Sequence, residues 1–235
     1  MQTTHPVVIN DGAAAEAALA PLIDHLRGAA ASGLDLAVAP GLLAEGTPVA
    51  ELVAAPYTRL AAMVEESARL WSAPSHVAAA LWWKRFSYWT TLPVTIGWAV
   101  DRTVPLMTAE NTVYRRNAEE PLLVVGVNAL RSASGAVGPV IRETLLEGLF
   151  APVIEALHDL TRAGRRGLWG SVAESLTHPL DMVVSDPAAA AEELLRAVGG
   201  PVEDLMELPS LKRRTCCLWV TLPEADPCPT CCVLR

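Results

Sequence analysis

The chain reads as a mainly α protein with a small β-hairpin or sheet, an α+β fold ending in a cysteine-rich loop segment. Three observations predict it. Apolar residues recur at three- and four-residue spacing through most of the length, bounded by Pro, Gly and Asp. A strand–turn–strand pattern is clear at one place only, and all five cysteines fall in the last twenty residues. Hydrophobic residues make up 51% against 19% charged, a composition that folds, and 235 residues suffice for a sizeable core. The expected division is a mostly helical body over residues 1–208 and a separate C-terminal segment over 209–235.

The elements follow in order. Residues 13–31, rich in Ala and Leu, predict a helix that starts after Asn10-Asp11 and stops at Gly33. Thr47-Pro48 opens a second helical stretch, interrupted at Pro56 and resuming over 57–71. Ser75 is positioned to cap a helix over 76–92, which Pro93 should end. Residues 112–116 and 122–126 read as strands joined by a longer turn over 117–121. Ile141, Leu145, Leu149, Val153, Leu157 and Leu160 form one apolar helix face, which Pro152 should kink or split. Asp186-Pro187 is a cap followed by a first turn, Glu192 and Arg196 make an i,i+4 pair, and Gly199-Gly200 ends that helix. From Pro209 the chain turns basic, then cysteine-rich and proline-rich, which predicts a loop docked on the helical body.

The net charge of −8 argues against a nucleic-acid partner. The apolar stretch 77–100 is broken by Lys84, Arg85 and Pro93, so it suits a buried helix and not a transmembrane segment. The first residues lack a basic segment followed by an apolar run, so a cytoplasmic location is expected, with peripheral contact at the inner face of the membrane. That compartment keeps thiols reduced and available to a metal.

Cys216, Cys217, Cys228 and Cys231 form a Cys-Cys-x10-Cys-x2-Cys pattern, with Cys232 directly after it. Disulfide staples are normally spread through a fold, and here the preceding 215 residues have no cysteine. Four soft thiolates within sixteen residues suit one thiophilic metal centre. Structural zinc sites usually take two separated knuckles; Cys228-Pro229-Thr230-Cys231 fits one, but adjacent Cys216-Cys217 does not. A [2Fe–2S] rhomb has two irons, each needing two thiolates, and adjacent cysteines serve it if the backbone turns sharply. The spacing therefore favours iron–sulfur over zinc, with Cys232 a bystander.

The run Arg213-Arg214-Thr215-Cys216-Cys217-Leu218-Trp219, followed by Cys228-Pro229-Thr230-Cys231, resembles the cluster segment of the FhuF-type ferric-siderophore reductases. Leu168-Trp169-Gly170-Ser171-Val172-Ala173 is similar to a stretch in that family's middle. A weaker likeness is the Trp-rich run Trp82-Trp83-Lys84-Arg85-Phe86-Ser87-Tyr88-Trp89. The resemblance covers the chain from about residue 75 onward; Cys232 departs from the pattern. It implies a [2Fe–2S] cluster on Cys216, Cys217, Cys228 and Cys231, and an oxidoreductase that reduces siderophore-bound Fe(III) to Fe(II). The implied substrate is a ferric siderophore, of hydroxamate type, and the implied donor a ferredoxin or flavoprotein reductase. No Gly-x-Gly-x-x-Gly, phosphate loop or Gly-x-Ser-x-Gly elbow appears, which is consistent with electrons arriving from another protein.

Lys212, Arg213 and Arg214 read in two ways: a solvated basic turn, or charge that offsets an anionic cluster and docks an acidic donor or the substrate. Trp82, Trp83, Phe86 and Trp89 read first as core, and second as an aromatic wall against an apolar ligand with Lys84 and Arg85 on its polar side. Trp169 and Trp219 read as packing or as shields for the cluster. The five histidines show no metal-ligand spacing. A zinc-stapled helical protein that binds a ligand or serves as a structural module, without redox activity, is the alternative function.

Overall fold

The computed structural model describes residues 6–116, 123–228 and 230–233. The turn over 117–121, the expected first residue of the second hairpin strand (Leu122), and Pro229 lie outside them. The elements run β1 (Val8–Asp11), α1 (Gly12–Ala31), β2 (Val38–Leu43), β3 (Thr47–Pro48), α2 (Thr58–Trp71), α3 (Ser75–Asp101) and β4 (Thr103–Pro105). They continue with β5 (Thr112–Arg116), β6 (Leu123–Val127), β7 (Arg131–Ser134), α4 (Gly138–Ile141), a π-helical run Arg142–Phe150 and α5 (Ala151–Thr161). Then follow α6 (Arg165–Thr177), α7 (Pro187–Val198), β8 (Met206–Glu207) and β9 (Lys212–Arg213). The fold is mainly α with small sheets, as the apolar spacing predicts.

Helix α3 is the axis of the core. Trp83, Ala78, Ala79 and Thr90 are wholly buried, and α6, α2 and α1 pack around it. Pro93 does not end this helix, contrary to expectation. A proline inside a helix costs ~3 kcal/mol. Beyond it Val94, Ile96 and Trp98 are 1%, 2% and 3% exposed. Burying side chains of that size returns ~1.5–3 kcal/mol each, so packing outweighs the broken ladder. Ser75 starts the helix without a side-chain capping bond; the cap position belongs to Pro74. Among the described residues no helix is long and apolar enough to cross a membrane.

Pro152 splits its helix as predicted, and the split takes a specific form. The turns before it, Arg142–Phe150, widen to π geometry, and α5 begins with Pro152 in its first turn. A π-bulge opens room where the proline ring would press on the preceding turn. Ile141, Leu145, Leu149, Val153 and Leu157 stay buried along one side through the change, while Leu160 reaches solvent. In α7 the Asp186 carboxylate accepts from the Ala189 N–H at 3.0 Å, Arg196 pairs with Glu192, and Gly199 at φ 63° closes the helix.

The predicted hairpin is present: β5 and β6 pair antiparallel from Thr112↔Val127 to Arg116↔Leu123. It is the centre of a four-stranded sheet ordered β2-β6-β5-β3. Thr47-Pro48, expected to open a helical stretch, forms the edge strand β3 against Tyr114 and Val113, and only a single 3-10 turn, Val49–Glu51, follows it. Pro is tolerated there because an edge strand can leave one side unpaired. A second sheet, β1-β7-β4, lies under α1. Its strands are three or four residues long, too short for an alternating pattern to declare itself.

Candidate metal centre and its adjoining cavity

The C-terminal segment is held to α6 by a buried ionic node. Arg213, on β9, is 2% exposed, and its Nη1 donates to Glu174 Oε2 at 3.1 Å. Its Nη2 donates to Ser171 Oγ at 3.1 Å and to the Gly167 carbonyl at 3.2 Å. Glu174 also receives Lys84 Nζ of α3 at 3.1 Å and the Thr230 hydroxyl. Burial pushes the Glu174 carboxyl up, but the Arg213 and Lys84 charges with the Thr230 and Lys84 hydrogen bonds outweigh it and hold it below its ordinary range. A lone acid in the apolar run 168–176 was the sequence signal for this node, and the sequence reading passed over it.

Gly170 explains part of the Leu-Trp-Gly stretch. A Cβ there would stand 1.8 Å from Thr215 Oγ1 and 2.9 Å from Thr215 Cβ. The absent side chain is what lets the residue before the paired cysteines lie directly on α6. Trp83 fixes the other side of this helix, its Nε1 donating to the Leu168 carbonyl at 2.9 Å.

The two cysteine-bearing stretches meet through the backbone. Arg213 N–H donates to the Thr230 carbonyl at 3.0 Å, and Cys231 N–H donates to the Cys228 carbonyl at 2.9 Å, closing the Cys-x2-Cys turn. After Cys217 the chain turns sharply: Leu218 takes φ 67°, and its N–H points back to Cys216 Sγ at 3.3 Å. The Trp219 N–H lies near enough to the Cys217 sulfur to favour its thiolate. Cys217 and Cys231 are buried, Cys216, Cys228 and Cys232 half-buried, and all five are free thiols. Burial pushes the Cys217 thiol up, and nearby Cys228 adds to that, against Lys84, the Trp219 N–H and Arg213. Cys232 is raised by its burial and by Cys216 and Cys231, so the bystander cysteine lies within electrostatic reach of two of the four motif positions.

Among the described residues no three or more His, Cys, Asp or Glu stand in a group that could hold a metal ion. The surroundings nevertheless fit an anionic iron–sulfur group. The Leu218 backbone N–H points at the Cys216 sulfur, and that of Trp219 favours the Cys217 thiolate. Arg213, whose charge acts on Cys217 and Cys232, keeps its buried Nε without a hydrogen-bond partner among the described residues. N–H donors and nearby positive charge are the protein's means of stabilising thiolate-bound clusters.

The basic run divides. Arg213 is buried and ion-paired, so it cannot dock a donor or substrate at the surface, and that part of the sequence reading is corrected. Arg214 is exposed and Lys212 half-buried. The boundary set at 208/209 falls inside the hairpin of β8 and β9, which pair as Met206↔Arg213 and Glu207↔Lys212.

The aromatic stripe divides as well. Trp82, Trp83 and Phe86 are core, with Trp82 stacked on Phe86 at 5.1 Å and Trp83 edge-on to Phe150 at 5.1 Å. Trp89 and Tyr88 instead face an open cavity of about 430 Å³, together with Trp71, Lys84, Arg85, Glu174, Trp219 and Cys228. Trp219 is held by its Nε1 bond to the Asp226 carbonyl at 3.0 Å. Trp169 packs partly buried against the core.

No protein-family model matches the chain, and no curated protein proved similar to it. Its chemistry therefore rests on its own residues.

Proposed function

We propose that this protein is a [2Fe–2S] ferric-siderophore reductase, an oxidoreductase that releases iron by one-electron reduction of chelated Fe(III). The supporting observation is the Cys-Cys-x10-Cys-x2-Cys set, with a backbone N–H on the Cys216 sulfur and a buried arginine beside it, bordering an open aromatic cavity. Cys216, Cys217, Cys228 and Cys231 would hold the cluster. When bound, it supplies a site that accepts and gives one electron at a time.

The chain's own residues supply the rest. The sharp turn at Leu218 and the turn over 228–231 belong to the two short stretches whose four cysteines would supply the thiolates. Arg213 and Lys84 place positive charge beside them, compensating anionic sulfur and favouring the reduced form. Oxygen donors of siderophores are hard ligands that hold Fe(III) far more tightly than Fe(II), so one electron weakens the complex. Outer-sphere transfer of this kind requires no acid–base residue, only close approach. A ferredoxin or flavoprotein reductase in the same compartment, the cytoplasm, is the proposed donor.

The experiment is anaerobic purification followed by iron, sulfide and zinc analysis. A reddish-brown protein with equal iron and sulfide, bleached by dithionite and reoxidised by a ferric siderophore with Fe(II) trapped by a chelator, is the expected result. Serine at Cys216, Cys217, Cys228 or Cys231 should abolish or perturb the visible bands, while Cys232→Ser keeps them. A colourless protein carrying zinc would make the chain a zinc-stapled binding or structural protein instead.

A further inference from the structure

One hydroxyl ties the second pair of cysteines to the buried ionic node. Thr230 lies inside the Cys-x2-Cys turn; its Oγ1 stands 3.6 Å from Cys228 Sγ and donates to Glu174 Oε1. Among the described residues it is the hydrogen-bonding side chain at the Cys228 sulfur. Cys216 is served differently, by the Leu218 N–H at 3.3 Å, a donor whose direction the backbone fixes. A hydroxyl can turn.

A threonine hydroxyl carries a single proton and two lone pairs. With Cys228 a free thiol the contacts form a chain: the S–H donates to Thr230 Oγ1, and the Thr230 O–H donates to Glu174. A metal-bound cysteine is a thiolate and brings no proton of its own. The hydroxyl then stands at a fork between the Cys228 sulfur and the Glu174 carboxylate, with one proton for two acceptors.

The fork is built to favour Glu174. Sulfur is the weaker acceptor, and a bond to an ionised carboxylate is charge-assisted. The carboxylate is also held in place: Lys84 Nζ reaches Oε1 at 3.3 Å and Oε2 at 3.1 Å, and Arg213 Nη1 reaches Oε2 at 3.1 Å. On the other side the Arg213 N–H holds the Thr230 carbonyl at 3.0 Å, and the Cys231 N–H holds that of Cys228 at 2.9 Å.

We propose that Glu174 is a positioning residue that keeps the reduction potential of the centre low, by holding the Thr230 proton away from the Cys228 sulfur. A donor on a ligand sulfur stabilises the more negative, reduced state and raises the potential. Lys84 and Arg213 favour that state through their charge, and Glu174 is the counterweight. A centre kept low is the stronger reductant, which suits the reduction of tightly chelated Fe(III). The proton stays on the threonine oxygen throughout, and only the direction of one O–H bond is at issue. The inference rests on the iron–sulfur part of the reductase reading.

The test is a set of redox titrations on the anaerobically purified full-length protein: wild type, Glu174→Gln, Thr230→Val and the double variant. In Glu174→Gln the amide can donate to Thr230 Oγ1, which frees the hydroxyl for the sulfur. Losing the carboxylate charge raises the potential with either residue at 230, so the decisive quantity is the difference between the two shifts. Glu174→Gln should shift the electron-transfer equilibrium by ~10-fold more with Thr230 present than with valine there, equivalent to ~59 mV for one electron. Thr230→Ser in place of Thr230 should keep that difference. Pulsed EPR of the reduced proteins in D2O gives an independent signature: a deuteron coupling that appears in Glu174→Gln and is lost in the double variant. Equal shifts in the two backgrounds, or no such coupling, would overturn the proposal. Should Glu174→Gln fail to hold the segment, wild type against Thr230→Val decides: matching deuteron spectra support it, and a coupling lost with the hydroxyl shows that the sulfur already has the proton and overturns it. Failure of the reductase reading looks different, as protein purified without iron and sulfide or as reduced protein that ferric complexes do not reoxidise; the first of these would remove the proposal with it.

Discussion

Gly170 and Glu174 lie one helical turn apart on α6, and both serve the segment that carries the cysteines. Replacing Gly170 with Ala drives a methyl group into the Thr215 side chain, which would be 1.8 Å away. Overpacking of this kind costs ~1–3 kcal/mol, and the strain falls on the residue before Cys216. Faster proteolysis within the last thirty or so residues, with the helical circular dichroism preserved, is the expected outcome for Gly170→Ala; an unchanged digestion pattern would show that Thr215 moves aside freely. Glu174→Ala leaves Arg213 buried without its carboxylate, and breaking a buried pair in this way costs ~3–5 kcal/mol. The same carboxylate gives a pH dependence. Pairing holds its folded pKa below the ordinary value of 4.5, so its contribution to stability is present above that value and is lost as pH falls through the depressed one. Denaturant titrations below pH 4.5 should therefore find wild type losing stability more steeply than Glu174→Gln, which has no carboxylate to protonate there; parallel curves would count against the node.

The seam between α3 and α6 links the core to the candidate centre. Trp83 donates across it to the Leu168 carbonyl, Ser87 and Ser175 hydroxyls meet at 3.4 Å, and Thr95 donates to the Leu176 carbonyl at 3.3 Å. Trp83→Phe removes a buried hydrogen bond and part of a large ring, a loss of ~1–3 kcal/mol. For a chain of this size that lowers the melting temperature by ~2–4 °C per kcal/mol, readable by calorimetry. A change under one degree would assign the seam's stability to other contacts. The helices themselves were largely legible: α1, α7 and the apolar face through Pro152 follow from periodicity and from Asp, Pro and Gly at their ends. Two prolines misled in opposite directions. Pro93 sits mid-helix because burial on both sides of it is worth more than the lost bond, and Pro48 sits in an edge strand because its partner β5 supplies the pairing.

Docking the C-terminal segment onto the body unites residues far apart in the chain: Lys84 of α3, Glu174 of α6, Arg213 of β9 and Thr230 of the last cysteine turn converge on one carboxylate. That convergence redistributes the basic run. Arg213→Gln should behave as a stability variant, whereas Arg214→Gln should fold normally and slow reduction by an acidic donor protein, most clearly at low ionic strength, where the Debye length reaches ~30 Å at 0.01 M salt. Stopped-flow reduction at two salt concentrations separates them; equal rates for Arg214→Gln and wild type at low salt would remove the exposed arginine from donor docking. The cysteine positions, the helical class and the hairpin were legible in the sequence because ligand spacing, helix periodicity and strand alternation are local patterns, written in residues close to one another. The burial of Arg213, the Glu174 node, the close approach at Gly170 and the aromatic cavity beside Cys228 are contacts between segments far apart in the chain, and no local pattern encodes which side chain of a basic or aromatic run will face inward. Those choices were made by packing, where the cost of leaving a charge or a ring in the wrong place exceeds any preference carried by the run in isolation.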